Sequence, residues 1–458
     1  MTASARSAAH RVLRDVHTGR STLPEAQSRA RNGLTDPRDR ALASNITVGT
    51  LRWRGALDHI LSEVSSRPLQ SLDPEILDLL RASAYQLLHL NRVPNHAIVN
   101  DAVAMTRTIG KHHATGFVNA VLRALTTRSP DSTLPTKPVL ISKRDGHSRQ
   151  QALTYLSTTL SHPRWLVERW LDRYGLDSAE RWALFNNDPA PITLGVNTLK
   201  TSPSRLMRQL KAHGVDVKPG RWSPLALVVT RGNPLVTPLV DSGLFLVQDE
   251  ASQLIAQLVT ARPGDYVLDT CASPGGKTVA IAGTMLNRGV LVAGAFRLKR
   301  LSLLTRTVVR CDCHNVRVVR LDAEKSLPFA PLFDWVLVDA PCSGLGTLRR
   351  DPDIRWRCSP DDLKPLAAKQ KLLLSAAAAM VSVGGRLVYA TCSSEPDENQ
   401  DVVEQFLTSR TEFTIEPPVS PRLSPLVDTN GYLHTFPFRD GLDSFFAVVL
   451  RRRTANRQ

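Results

Sequence analysis

The 458-residue chain has no stretch approaching the ~18 uninterrupted apolar residues of a membrane-spanning helix, so a membrane protein is not expected. Its start, MTASARSAAHRVLRDVH, lacks an export signal's apolar core and carries Asp15 early, which predicts a cytoplasmic protein. Cysteine is scarce, with six residues at 271, 311, 313, 342, 358 and 392, all in the C-terminal half. That argues against a disulfide framework and suits a reducing compartment, where a conspicuous cysteine is more often reactive than structural. Internal repeats and low-complexity tracts are missing. Acidic residues are short too: 42 Asp and Glu face 58 Lys and Arg, a formal charge of +16. The first 130 residues carry 17 basic and 10 acidic residues and the remainder 41 and 32, so both parts share the excess. A solvated basic surface is the bland explanation; a polyanionic partner, nucleic acid first, is the functional one.

The length is about three times a typical domain of ~150 residues, and predicts two or three compact units. Residues 1–130 read as an all-α unit, because apolar positions recur at three- and four-residue intervals behind clear start signals. In SLDPEILDLLRASAYQLLHL, Asp73 can cap, Pro74 suits the first helical position, and Ile76, Leu79, Leu80, Ala84, Leu87 and Leu88 share a face. Residues 131–149, rich in Pro, Ser and Thr and without a period, read as a linker. Residues 150–240 mix helix (Trp165, Leu166, Trp170, Leu171) with short strands, ITLGVN and LALVVT, as a small α/β module. From 241 to 453 the strands YVLDT, VLVAGA, VRVVRL, WVLVDA and GRLVYAT alternate with helices, including a long one near 363–381. That rhythm predicts a Rossmann-like, doubly wound α/β domain whose ligands bind beyond the carboxyl ends of the strands.

Three segments at such ends carry chemistry. DTCASPGGKT, Asp269–Thr278, is a strand-to-helix turn in which Gly275 and Gly276 let the backbone approach a ligand. It has neither the GxGxxG nor the GxxxxGK[ST] spacing. VLVDAPCSGLGTLRRDPDIRW places Asp339, Pro341 and Cys342 past a buried strand, and LVYATCSSEPDEN places Thr391 and Cys392 past another. A lone cysteine is usually a small buried hydrophobe. Two thiols and an aspartate at one sheet edge suit methylation at C5 of a pyrimidine, a carbon that becomes nucleophilic only after a thiolate adds to C6.

Together with GLFLVQDEASQL and the tail SFFAVVLRR, these motifs resemble the bacterial RNA 5-methylcytosine methyltransferases of the RsmB/Sun/Fmu type, within the NOL1/NOP2/Sun family. The resemblance covers about residues 150–453, and RVPNHAIVNDAV and GFVNAVLRAL extend it to a NusB-like helical RNA-binding domain. It implies an S-adenosylmethionine-dependent enzyme acting on a cytosine of 16S rRNA or of a small-subunit particle, working as a monomer and without a metal. It implies Cys392 as nucleophile, Cys342 as the product-release cysteine, and Asp339 between cofactor and target base. The cofactor would be held by Cys271, Ala272, Ser273, Pro274, Gly275, Gly276 and Lys277, with Asp322 and Asp339.

The sequence departs from the family pattern at Ala295, where an acidic residue normally accepts hydrogen bonds from the cofactor ribose. Smaller departures are Gly195 for arginine and Ser444 for glycine. Ala295 supports the alternative of a non-catalytic RNA-binding or ribosome-assembly protein on a degenerate methyltransferase fold; Cys342, Cys392 and Asp339 argue against it. Cys311, Cys313 and His314 lack a fourth ligand at metal-site spacing. His112 and His113 are expected on the surface of the helical unit, and Arg349, Arg350, Arg355, Arg357 and Trp356 are expected to border the site and touch RNA.

Overall fold

The computed structural model describes residues 4–127, 133–139 and 146–453. Part of the 131–149 linker segment therefore lies outside the described residues. The chain forms two units, one of residues 1–189 with 348–357 and the other of residues 190–347 with 358–458. Among the described residues no helix is long and apolar enough to cross a membrane.

The first unit is helical, with helices Ala5–His17, Leu23–Asn32, Pro37–Val64, Pro74–His89, Asn95–Thr108 and Thr115–Thr127, followed by Gly146–Thr154, Arg164–Tyr174 and Leu176–Asn187. The expected start of Pro74–His89 is present: Asp73 accepts from the Glu75 N–H at 2.9 Å, with Pro74 in the first turn. Its burial is wider than one face, because every residue from Ile76 to Gln86 is buried. This helix packs against its neighbours on several sides, and its buried Arg81 is paired, donating to Asp58 at 2.6 and 2.8 Å and to Asp78 at 3.2 Å. His112 and His113 lie on the surface as expected.

The second unit holds two sheets. Strands β1 (Thr193–Val196), β2 (Asp216–Pro219), β3 (Ala226–Arg231) and β4 (Phe245–Val247) form an antiparallel sheet in the order β2-β3-β1-β4. The larger sheet contains β5 (Tyr266–Asp269), β6 (Val290–Ala295), β7 (Val316–Arg320), β8 (Phe333–Asp339), β9 (Val381–Thr391), β10 (Phe413–Ile415), β11 (Leu433–Thr435) and β12 (Phe445–Arg452). Its order is β10-β12-β9-β8-β5-β6-β7, with β11 paired to β12. The five strands read from the sequence, β5 to β9, run parallel. The sheet as a whole is mixed, because β12 returns antiparallel to β9 and carries β10 and β11 on its other side. Apolar clusters on both faces bury it, Leu268, Val336 and Tyr389 on one and Val267, Leu337 and Val388 on the other.

Because β5 to β9 are parallel, the residues at their carboxyl ends share one edge. Asp269 ends β5, Ala295 ends β6, Asp322 follows β7, Asp339 ends β8 and Cys392 follows β9.

Candidate active site

The turn after β5 is shaped by backbone requirements. Gly275 caps helix Gly276–Thr284 at φ +110°, and a Cβ there would meet Thr307 at 3.0 Å and Leu304 at 3.2 Å. Only glycine fits without strain. Asp269, 1% exposed, accepts from the Thr278 hydroxyl at 2.8 Å through Oδ2, whereas Oδ1 has no hydrogen-bond partner among the described residues. Burial pushes its carboxyl up to about 7, against the Thr278 hydrogen bond and with help from the nearby Asp339 charge. The Cys271 thiol is likewise pushed up to about 12 by burial. This cysteine is not poised as a nucleophile.

Lys277, in the first turn of the same helix, reaches Asp339 at 2.6 Å. Burial works against its charge, but the Asp339 carboxylate prevails and holds the ammonium above its ordinary range, aided by the negative potential of Cys392 and Asp269. Cys342 and Cys392 bring their sulfurs to 3.3 Å although 50 residues separate them. The Cys342 thiol is raised well above its usual range, first by its hydrogen bond with Cys392, then by burial and by the charges of Cys392 and Glu398. The two loops meet through backbone as well, since Gly346 N–H donates to the Cys392 carbonyl at 2.9 Å and Ser444 N–H to the Gly346 carbonyl at 2.9 Å. A Cβ on Gly346 would lie 1.9 Å from the Ser444 carbonyl oxygen, so this crossing also requires glycine.

The residues singled out in sequence are thus gathered: Cys271–Lys277 form one turn, Lys277 joins it to Asp339, and Cys342 touches Cys392. Asp322 stands apart at the same edge, accepting from Glu324 N–H at 3.3 Å and pairing with Lys325 at 3.4 Å. A glycine-lined turn, a buried unpartnered carboxylate oxygen, and a lysine bonded to an aspartate face a pair of touching thiols.

Comparison with known proteins decides the family. Residues 256–451 match the family model 16S rRNA methyltransferase RsmB/F, residues 3–127 the NusB family, and residues 162–235 the RsmF/B-like ferredoxin-like domain. The probable ribosomal RNA small subunit methyltransferase B of Bacillus subtilis is 32% identical over 428 residues, covering 92% of each chain. The chain belongs to the RsmB/F family of methyltransferases. The ribosomal RNA small subunit methyltransferase B of Pseudomonas putida is 31% identical over 88% of each chain. The solved structure of PH0851 superposes with TM-score 0.80 over 99% of this chain and 100% of that one at 24% identity, a likeness of fold. A methyltransferase homologue from Pyrococcus horikoshii shares 28% identity and TM-score 0.57 over 66% of this chain and 98% of that one.

As an RsmB/F enzyme the protein uses S-adenosylmethionine, and its residues fit that cofactor with one exception. The cradle of Gly275 and Gly276 and the open Oδ1 of Asp269 are present. Ala295, where the resemblance leads one to expect a ribose acceptor, is 6% exposed and belongs to the same apolar cluster as Ala272 and Leu304. Its side chain offers no acceptor, and its carbonyl is taken by the Leu321 N–H at 3.2 Å. The residues that follow are all exposed and cationic or apolar: Phe296, Arg297, Leu298, Lys299 and Arg300.

One expectation about flanking residues changes. Arg355 and Trp356 do not form an exposed RNA-contacting face. They fold into the helical unit, where Arg355 is 0% exposed and donates to the carbonyls of Ser161 (2.9 Å) and Arg52 (3.2 Å) and to Asn187 Oδ1 (3.0 Å). Trp356 Nε1 donates to the Leu51 carbonyl at 2.6 Å. Arg349 bonds the carbonyls of Asp188 and Pro189 and stacks over Phe185 at 4.2 Å. Carbonyl oxygens displaced from water need donors, and a guanidinium supplies five. Cys311 and Cys313 are buried in the apolar core, so their close spacing is a packing feature. Ser343, Ser393, Gln370 and Glu398 support the two cysteines and form no recognisable motif along the chain. The one local signal is that each site cysteine is followed directly by serine.

Proposed function

We propose that the protein methylates C5 of a cytosine in 16S rRNA through a covalent adduct between Cys392 and C6 of the ring. The observation that carries this reading is the contact of the two thiols at the sheet edge where Lys277 bonds Asp339. The Cys342 thiol is raised well above its usual range by its hydrogen bond with Cys392, by burial and by the charges of Cys392 and Glu398, all of which disfavour its thiolate. Of two sulfurs 3.3 Å apart, Cys342 is the one held as a thiol, which leaves the attack to Cys392.

S-adenosylmethionine, held by residues 271–277 with Asp322 and Asp339, would supply the methyl group. Addition of the Cys392 thiolate to C6 puts electron density on C5. After C5 is alkylated its proton leaves, the C5–C6 double bond re-forms, and Cys392 is expelled as thiolate. Cys342 stands beside that sulfur, in position to assist release. Asp339, anchored by Lys277, orients groups between the cofactor turn and the ring. Residues 1–130 act as the RNA-holding helical domain and residues 241–453 as the catalytic core, with residues 150–240 before it and 131–149 as linker. The reading places a monomeric enzyme in the cytoplasm. A non-catalytic RNA-binding role is favoured only by Ala295; the thiol pair and the Lys277–Asp339 contact favour catalysis.

Bisulfite sequencing of 16S rRNA from cells with and without the gene tests the reaction, and a protected cytosine should disappear with the gene. With the purified protein, Cys392→Ala should abolish methylation and the covalent RNA complex. Cys342→Ala should accumulate a complex that survives denaturing gels. The opposite pattern would make Cys342 the nucleophile.

A further inference from the structure

We infer that Glu398 is a positioning residue that sets the spacing of the two cysteines, as one buried carboxylate shared by the loops that carry them. The relevance to catalysis rests on the two-thiol reading above, whereas the geometry does not. Glu398 ends the turn Pro396–Glu398, and is 0% exposed. Its Oε1 accepts from the Ser343 backbone N–H and from Gln370 Nε2, each at 2.9 Å. Its Oε2 accepts from the hydroxyls of Ser343 and Ser393, each at 2.5 Å. Ser343 directly follows Cys342, and Ser393 directly follows Cys392.

With its proton directed at Glu398, each serine oxygen is left as an acceptor for the backbone two residues on. Leu345 N–H points to Ser343 Oγ at 3.4 Å and Glu395 N–H to Ser393 Oγ at 3.2 Å. Two serine turns are therefore tied to one carboxylate, with their hydroxyl oxygens 3.2 Å apart and the preceding sulfurs 3.3 Å apart. Further bonds hold the tie in place. Gln370 Nε2 also donates to the carbonyl of Pro341, the residue before Cys342, at 3.1 Å. The Tyr389 hydroxyl donates to the Glu398 carbonyl at 2.6 Å, and Asn399 Nδ2 donates to the Ser393 carbonyl at 3.0 Å.

The residue type follows from this donor count. Four donors converge on two oxygens, and an ionised carboxylate is the side chain that offers about four acceptor sites and no donor. Glutamine would present an NH₂ to at least one facing donor, so Glu398→Gln is not a conservative change here. Two sulfurs acting on one ring demand placement within a fraction of an ångström, and a misplacement of about 1 Å can cost roughly 100-fold in rate.

The test uses the full chain and separates geometry from reaction. Diamide takes two electrons and two protons from a pair of thiols and leaves a disulfide, so its rate of linking Cys342 to Cys392, read by peptide mass, reports their spacing without RNA or cofactor. In Glu398→Gln this trapping should slow by roughly tenfold or more, against the acceleration that removing the Glu398 charge beside Cys342 would give with the spacing unchanged. Its kcat for methyl transfer to 16S rRNA should fall by up to roughly 100-fold, while KM for S-adenosylmethionine stays within about twofold. Ser343→Ala removes one hydroxyl and keeps the other three donors, so it should fold even where Glu398→Gln does not, and should shift both readouts in the same direction by less. Trapping at the parental rate in the folded variants would overturn the inference, as would a kcat loss matched by an equal rise in cofactor KM. Slowed trapping with unchanged methylation would uphold the clamp and sink the two-thiol reaction instead.

Discussion

Replacing Ala295 with aspartate tests how the cofactor ribose is held. Ala295 ends β6, pairs in register with Arg320 across β7, and sits 6% exposed in an apolar cluster with Ala272 and Leu304. Two opposing terms set the result. A carboxylate there can accept from the ribose hydroxyls, and a charge-assisted bond contributes about 1.5 to 3 kcal/mol. In the cofactor-free protein the same carboxylate loses hydration against apolar neighbours, which costs on the order of 1 to 3 kcal/mol after local relaxation. The exposed cations Arg297 and Arg320 offset this by no more than about 1 kcal/mol. The free variant should therefore melt lower than the parent, and its binding of S-adenosylmethionine should tighten by about 1 to 3 kcal/mol, or roughly 5- to 150-fold. Titration calorimetry with S-adenosylmethionine, beside melting curves with and without it, measures both terms. Ribose is remote from the reacting sulfonium, so kcat at saturating cofactor should change far less than Kd. Unchanged or weaker binding in a folded variant would refute the reasoning, and would mean that the ribose is held by other residues along a reshaped turn.

Other outcomes follow from single observations. Arg355→Lys should destabilise the helical unit by about 3 kcal/mol in urea melts followed by tryptophan fluorescence, because an ammonium cannot reach the carbonyls that the guanidinium bridges; an unchanged midpoint would contradict its structural role. Asp269 is raised to about 7 by burial, so the folded form binds its proton more tightly than the unfolded chain, and the associated stability is present in acid and lost as pH rises from about 4 through about 7. Asp269→Asn should flatten that part of the cofactor-free melting profile, and an identical slope would count against the raised value. Changing Arg297, Lys299 and Arg300 together to serine should weaken 16S rRNA binding and shallow its salt dependence, since phosphate contacts release counterions; a salt slope equal to the parent's would remove these side chains from the RNA surface.

Sequence alone determined the features that are local along the chain. Asp73 and Pro74 announced a helix start because a cap needs only neighbouring backbone N–H groups. The strands β5 to β9 were legible because short apolar runs alternate with helical ones, and parallel order placed Asp269, Asp339 and Cys392 at one edge before any contact was known. Tertiary structure decided what depends on distant partners. The all-round burial of Pro74–His89 arises from neighbouring helices, and β10, β11 and β12 make the sheet mixed through pairings with no periodic signature. Arg355 looked like a surface cation beside other arginines, yet its partner Arg52 lies 303 residues away, and only burial of those carbonyls turned it inward. The clamp at Glu398 spans 55 residues to Ser343 and 28 to Gln370, so no spacing rule could reveal it. Hydrogen bonds of that range form only where folding removes water from donors and acceptors together, which a linear pattern of residues does not encode.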